Sequence, residues 1–321
     1  MKFLCTFAVV KRSAIIIALM LLAEGALADD WDVHRPYGAN RPIGLSVSVN
    51  VGMLIANKKQ AEFYSGSRVV DTSGMHLVTY LERMIHSERF GNQIWNDLVS
   101  NQYIDASAIG NYNQLQIVEY GQMHYKLSYQ IGLGVRYDWE SGWGLLLRFD
   151  WSRLTAVGAF NLSSTNGTGI LQNTNQYIQC SVGGQEDRIN IDFGVAKRMY
   201  VSESFAIEVD LGFNLNNLKV KSNAMEIAGR SYDILDIYGS NSPALNSATY
   251  EYVNQGGVGY GGFAGLAVSY LLPGENSVGT IDLGYNFYYE HLKLEGYSGF
   301  APQHAIFLRF NLSPASFINK N

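Results

Sequence analysis

MHYKLSYQIGLGVRY, Met123 to Tyr137, alternates without a break. Met123, Tyr125, Leu127, Tyr129, Ile131, Leu133, Val135 and Tyr137 occupy every second position. His124, Lys126, Ser128, Gln130, Gly132, Gly134 and Arg136 lie between them. Successive side chains of a strand point to opposite faces, so the segment predicts a strand with one apolar and one polar face. A helix would scatter the same residues around its circumference.

The same period recurs in seven further segments. Upstream lies Ile43–Met53; downstream follow Trp143–Trp151, Arg188–Met199, Phe205–Leu215, Val258–Tyr270, Gly279–His291 and Gln303–Leu312. Three connections are short: Asp138–Gly142, Tyr200–Ser204 and Leu271–Val278, with turn-forming pairs such as Ser141-Gly142 and Pro273-Gly274. The other four are long, about 54–122, 152–187, 216–257 and 292–302. Short turns at one end and long loops at the other are the plan of an outer-membrane barrel, periplasmic below and extracellular above. The expected fold is all-β: an eight-stranded antiparallel transmembrane β-barrel over 43–312. An even strand count returns both chain ends to the periplasmic side.

The rest of the chain agrees with export. Lys2, Lys11 and Arg12 precede the apolar run Ser13–Leu22, and Ala26-Leu27-Ala28 offers a signal-peptidase site before Asp29. This reads as a signal peptide over 1–28, followed by a periplasmic segment over 29–42. No later apolar stretch is long enough for a membrane-spanning helix, which needs about 20 residues. The mean hydropathy of −0.04 resembles that of a soluble protein. Yet 33 Gly, 21 Tyr and 15 Phe accompany only 6 Pro and 16% charged residues, which suits strands that meet lipid with alternate side chains. With Cys5 removed, Cys180 is the one cysteine of the mature chain, which excludes an internal disulfide and a cysteine metal site. No cofactor is implied, and a net charge of −5 makes nucleic acid a poor partner.

Aromatic residues are placed to form interfacial girdles: Tyr125, Tyr137, Trp143, Trp151, Phe205, Phe213, Tyr270 and Tyr289 on the apolar faces. The eight segments, the short-long rhythm and the last strand HAIFLRFNL (His304–Leu312) resemble the small eight-stranded bacterial outer-membrane barrels. The resemblance is architectural and covers about two-thirds of the mature chain. The chain departs from that pattern in its long first loop and in a tail over 313–321, which the topology assigns to the periplasm.

The first loop carries helical spacing of its own. Met75, Leu77, Val78, Leu81, Met84 and Ile85 suggest one helix, with Thr72 or Ser73 as its cap, and Ile94, Trp95 and Leu98 a second. An apolar helix face outside the barrel must be buried, either as a lid on the other loops or against a partner.

The polar strand faces point into the lumen. Lys126, Arg136, Arg148 and Arg309 are expected there with Asp150, Asp192, Glu208, Asp210 and Asp282; Arg188, Arg198 and Glu290 share the same phase. Eight strands enclose little more than side chains, so these charges are expected to pair and fill the interior. Glu208 and Asp210 as an acid-base pair is the competing reading. Gly257–Gly262 matches G-x-G-x-x-G without the strand-to-helix context of a nucleotide site.

His291 and His304 fall on the outward face near the last hairpin, where pairing would set them side by side at the outer-leaflet headgroups. Without a serine and a carboxylate on the same patch they suit lipid contact better than catalysis.

The functional expectation is a non-enzymatic barrel that presents loops for binding, or a subunit of a larger envelope or secretion assembly. Its partners would be outer-membrane lipid and a protein engaged through the loops or the envelope complex. A rim enzyme acting on lipid or peptide, or a narrow channel, are the alternatives.

Overall fold

The computed structural model describes residues 43–73, 76–86, 91–106, 109, 115–164, 176–234, 256–272, 279–294 and 298–313. The expected signal peptide, the segment 29–42 and all but the first residue of the tail lie outside them.

Eight strands close a ring. In chain order they are β1 (Gly44–Ile55), β6 (Ser128–Asp138), β7 (Trp143–Ser164), β8 (Gln176–Tyr200), β9 (Phe205–Ile227), β11 (Gly256–Leu271), β12 (Gly279–Leu292) and β13 (Gly299–Leu312). Each pairs antiparallel with the next, and β13 returns to β1 with Val51 opposite Leu308. Five short strands lie outside the ring: β2 (Val69–Ser73), β3 (His76–Thr79), β4 (Leu115–Tyr120), β5 (His124–Tyr125) and β10 (Arg230–Asp233).

The lower wall alternates as the sequence predicts. Leu133, Leu147, Phe193, Leu211, Leu266, Leu283 and Leu308 are exposed on the outside. Ser48, Arg148, Asp192, Asp210 and Arg309 are buried inside. A water-facing surface does not carry apolar side chains all round, whereas a lipid-facing one must. Both short turns within the described residues sit at one end. In the first, Gly142 takes φ +78° and its N–H donates to the Trp139 carbonyl, 2.9 Å away, a backbone conformation that favours glycine.

β7, β8 and β9 do not stop where the segments 143–151, 188–199 and 205–215 end. They continue above the barrel, paired from Arg153↔Asp187 to Ser164↔Gln176 and, across β8 and β9, to Ser181↔Glu226. The loop expected over 152–187 is therefore strand along 152–164 and 176–187, and the one expected over 216–257 begins as strand up to Ile227. What changes at this level is polarity. Below it, the inward residues of β7 and β8 include Arg148, Asp150, Asn190 and Asp192; above it they include Leu154, Ala156, Phe160 and Leu162, with Ile178, Cys180 and Val182. The outward residues change in the opposite sense, from Leu147, Phe149 and Trp151 to Arg153 and Thr155. A period-two search for outward apolar residues ends at this crossover although the strand goes on.

On β9 the inversion passes through a bulge. Val220 pairs with Glu186 and Ser222 with Gln185, so Lys221 is the extra residue, and Asn223, Met225 and Ile227 then face inward.

Long chain segments fold into the concavity so made. β2 and β3 form a hairpin; α1 (Lys58–Ala61), a 3-10 turn over Glu62–Ser65, α2 (Tyr80–Ile85) and α3 (Gly91–Ser100) follow the chain around it. The helix expected from Thr72 begins eight residues later in sequence terms, at Tyr80, because Val69–Ser73 and His76–Thr79 pair as strands. Its cap is Thr79, whose hydroxyl accepts from the Glu82 N–H while the Glu82 carboxylate accepts from the Thr79 N–H, a reciprocal capping box. α3 falls where Ile94, Trp95 and Leu98 predict it. These helices bury Tyr64, Leu81, Ile85, Ile94 and Leu98 against Phe160, Ile178, Val220 and Met225, a hydrophobic core outside the membrane.

Candidate functional site

Three levels can be followed from the periplasmic end upward. In the lower lumen, Glu208 of β9 receives three arginines. Arg198 Nη2 and Arg309 Nη1 each lie 2.9 Å from its carboxylate oxygens, and Arg136 completes the set while also donating to Asp138 at 2.6 Å. One residue pair higher, Arg148 Nη1 donates to Asp210 at 2.9 Å and Nη2 to Asp192 at 3.2 Å. Asp192 also accepts from Asn214 at 2.7 Å and from the Tyr288 hydroxyl at 3.0 Å. Asp150 accepts from Asn50 at 3.1 Å, and Asp282 accepts from Asn311 at 2.6 Å. Glu208 and Asp210, the pair that could suggest acid-base chemistry, are each engaged by arginine, Glu208 by three and Asp210 through its Oδ2 by Arg148, and both are sealed from solvent. This network uses opposite walls of the barrel, which only a narrow ring permits.

The second level is the mouth. Where β1 ends, Asn57 caps α1 and the chain turns inward, so that Gln60 and Tyr64 are buried over the lumen. Gln60 Oε1 accepts from Gln303 Nε2 at 2.6 Å. Glu186 of β8 accepts from the Tyr64 hydroxyl, from the Tyr125 hydroxyl at 3.2 Å and from Arg188 Nε at 2.6 Å. Tyr64 fits because Gly184 lies beneath its ring: a Cβ there would sit 2.0 Å from the ring carbon Cδ1. The chain itself stoppers its barrel.

Two sequence expectations fail here, for one reason. Lys126 and Leu127 stand between β5 and β6. Gln130 pairs with Ser152 but Tyr125 with Ala156, so five residues of one chain run against four of the other and the phase flips. Tyr125, expected in the lipid-facing girdle, instead turns inward to Glu186 and Arg188. Lys126, expected in the lumen, is exposed outside. The other girdle positions lie outward: Tyr137 packs edge-on to Trp139, Phe205 against Tyr270, Trp151 against Tyr129 and Tyr289 against Phe300. Trp143 carries the Lys197 ammonium over its ring, and Phe213 is exposed.

The third level is the module above the membrane, clamped from its far side by the hairpin of β9 and β10. The Tyr232 hydroxyl donates to Asp97 of α3, and Arg230 pairs with the same carboxylate at 3.1 Å. Burial and the adjacent Asp97 charge push the Tyr232 hydroxyl well above its ordinary pKa, so it stays a donor. The Cys180 thiol, buried in the core, is pushed up to about 12 by desolvation, which leaves it an inert apolar group.

The molecule is a sealed transmembrane barrel of the outer-membrane type. No family model and no curated protein matches its sequence. Solved structures with a similar fold include Neisserial surface protein A, with 8% identity over 86% of this chain and 98% of that one, TM-score 0.37. Ail, the attachment invasion locus protein of Yersinia pestis, shares 11% identity over 84% of this chain and 100% of its own, TM-score 0.32. OprG from Pseudomonas aeruginosa shares 10% over 85% and 98%, TM-score 0.35. These likenesses concern the fold alone.

His291 and His304 do face outward, but not as a pair. Across the last hairpin His291 is opposite Phe300 and His304 opposite Phe287, four residues lower on β12. His291 stacks on Tyr260 at 5.7 Å, and His304 stacks on Tyr285 and exchanges a hydrogen bond with its hydroxyl. The register keeps them apart, so a shared rim site is ruled out by geometry. Among the described residues no group of three His, Cys, Asp or Glu is arranged to hold a metal. The glycines of Gly257–Gly262 lie in β11, and at Gly261 a Cβ would come within 2.5 Å of Glu290 Cα, so close strand approach explains that residue.

Gln60, Tyr64, Glu186, Asp97 and Tyr232 carry the mouth and the clamp, and sequence reasoning singled out none of them. The signal available was the apolar even-numbered series Leu154, Ala156, Phe160, Leu162, which continues the inward phase of β7.

Proposed function

We propose that the protein is a closed membrane anchor that displays a folded module at the cell surface for binding, with no chemistry of its own. The observation that carries this reading is the inversion of polarity along β7, β8 and β9. Those strands devote their upper halves to a separate hydrophobic core, and the first long connection folds onto it. A channel would need an open lumen, whereas this one is filled by ion pairs and stoppered by Gln60 and Tyr64. A rigid scaffold with loops at its tip is a common way to build a binding surface.

Two measurements test the reading together. In planar bilayers the purified protein gives no steady conductance. In native membranes it captures a partner that is lost when residues 154–186 are replaced by a tight turn, while the shortened barrel still migrates as a folded species. Large, stable single-channel steps would replace the anchor with a channel. Capture that survives the shortening would move the binding surface away from the module.

A further inference from the structure

The level of the inversion also carries an unusual distribution of charge on the outside of the wall. Immediately above Trp151 on β7 comes Arg153, whose partners across the sheet are Asp187 on β8 and, beyond it, Lys219 on β9. The bulge adds Lys221 to the same patch. Arg153 Nε and Nη2 grip the Asp187 carboxylate at 2.8 and 3.3 Å, and Lys221 Nζ lies 3.3 Å from Asp187 Oδ2. Asp187 is mostly covered, at 15% side-chain exposure, while Arg153 and Lys221 retain 38% and 37%. Lys219 is exposed beside them, and Lys126 is exposed on the flank, its backbone N–H bound to the Thr155 carbonyl at 2.8 Å.

The patch therefore presents four cations to one carboxylate, and the carboxylate spends itself orienting two of them. Arg153 Nη1 takes no part in that pair. The Arg153 guanidinium also lies 5.4 Å from the centre of the Trp151 ring, which joins the charged patch to the apolar band beneath. At the opposite rim the exposed Glu140 accompanies Lys197, so the cationic excess belongs to the outer edge.

We infer that Arg153, Lys221, Lys219 and Lys126 form a site for the phosphate of an outer-leaflet lipid headgroup, whose acyl chains lie along the Trp151 and Tyr129 face below. A phosphate answers the chemistry: it is a polyanion with several acceptors, and arginine and lysine bind it through charge-assisted hydrogen bonds. A lipid answers the position, because the cations stand at the last turn of wall before water and the apolar surface begins directly beneath them. Asp187 acts as a positioning residue that holds Arg153 and Lys221 at one height.

The test uses the full protein in nanodiscs that contain either bisphosphorylated lipid A or its dephosphorylated form, with bound lipid counted by native mass spectrometry. Wild type retains the bisphosphorylated lipid, and the double variant Arg153→Gln, Lys221→Gln retains about tenfold less. The charge-preserving pair Arg153→Lys, Lys221→Arg keeps most of it, and Lys197→Gln at the far rim changes nothing. Heat-modifiable mobility verifies that each variant is folded. High salt reduces the difference between the two lipids, as a partly exposed electrostatic contact requires. Equal retention of the two lipids by wild type, or undiminished retention by the double glutamine variant, would overturn the site. Release of the lipid by millimolar inorganic phosphate alone would overturn the commitment to a lipid.

Discussion

Glu208 shows what makes a crowded lumen stable. It gathers Arg136, Arg198 and Arg309 from three different strands, and Arg309 also donates to Asn50, its register partner on the neighbouring strand β1. Such buried charges persist only in each other's company, and removing one strands its partner. Arg148→Ala leaves Asp210 and Asp192 without their shared cation and is expected to lower barrel stability by about 3–5 kcal/mol, read from the urea midpoint of the heat-modifiable band. A second residue gives the outer module a dependence on pH. Burial pulls the His86 imidazole below its ordinary pKa, against the opposing pull of Glu82. The unfolded chain then binds the proton that the folded one resists, so the module is fully stable above the ordinary histidine range. It loses stability as pH falls through it, roughly pH 7 to 5. Protease resistance of the module in intact barrels should fall over that window, and His86→Gln should flatten the response. At this scale the sequence was readable wherever phase was continuous: Arg148, Asp192, Glu208 and Arg309 lie inside as their parity requires. Tyr125 and Lys126 changed sides because a single extra residue at the β5–β6 junction leaves no trace in a pattern of alternate polarity.

The elements separate into two regimes that share the same strands. Below the crossover, an outward residue meets lipid; above it, the same parity meets water. Leu147→Arg places a charge against the acyl chains and should cost about 2–4 kcal/mol, seen as failed or slow assembly into the heat-modifiable form. Phe160→Ala acts in the other regime. It opens a cavity in the outer core and should cost the module about 3–5 kcal/mol, so that protease cuts within 154–186 while the barrel band is unchanged. Loss of barrel mobility in Phe160→Ala would mean that the two regimes are one cooperative unit. The crossover also explains why the sequence yielded eight strands but too much loop. Apolar residues on alternate positions were legible on both sides of it, but they switch from odd to even numbers along β7 and β8, and a search for a lipid-facing stripe discards the second series. In the first long connection, α3 was legible from Ile94, Trp95 and Leu98. The helix expected from Thr72 starts too early because Leu77 and Val78 suit either period, and pairing between β2 and β3 decides for strand up to Thr79.

The described residues from 43 onward form a membrane cylinder whose wall on one side rises out of the bilayer and supports a folded cap. Its lumen, mouth and cap are closed by different chemistry: arginine–carboxylate pairs, the Tyr64–Glu186–Arg188 cluster, and aliphatic packing. All three depend on where the membrane ends. β8 samples that boundary best, since its outward residues run in one register from Val195 and Ile191 through Ile189 to Asp187, Gln185 and Gln179. Spin labels introduced by Val195→Cys, Ile191→Cys, Gln185→Cys and Gln179→Cys, in a Cys180→Ala background, report depth directly in reconstituted bilayers. Relaxation by oxygen should dominate at Val195 and Ile191, and relaxation by a water-soluble nickel chelate at Gln185 and Gln179, with the switch between Ile189 and Asp187. Oxygen-dominated relaxation at Gln185 and Gln179 would place the upper strands in lipid and contradict the account.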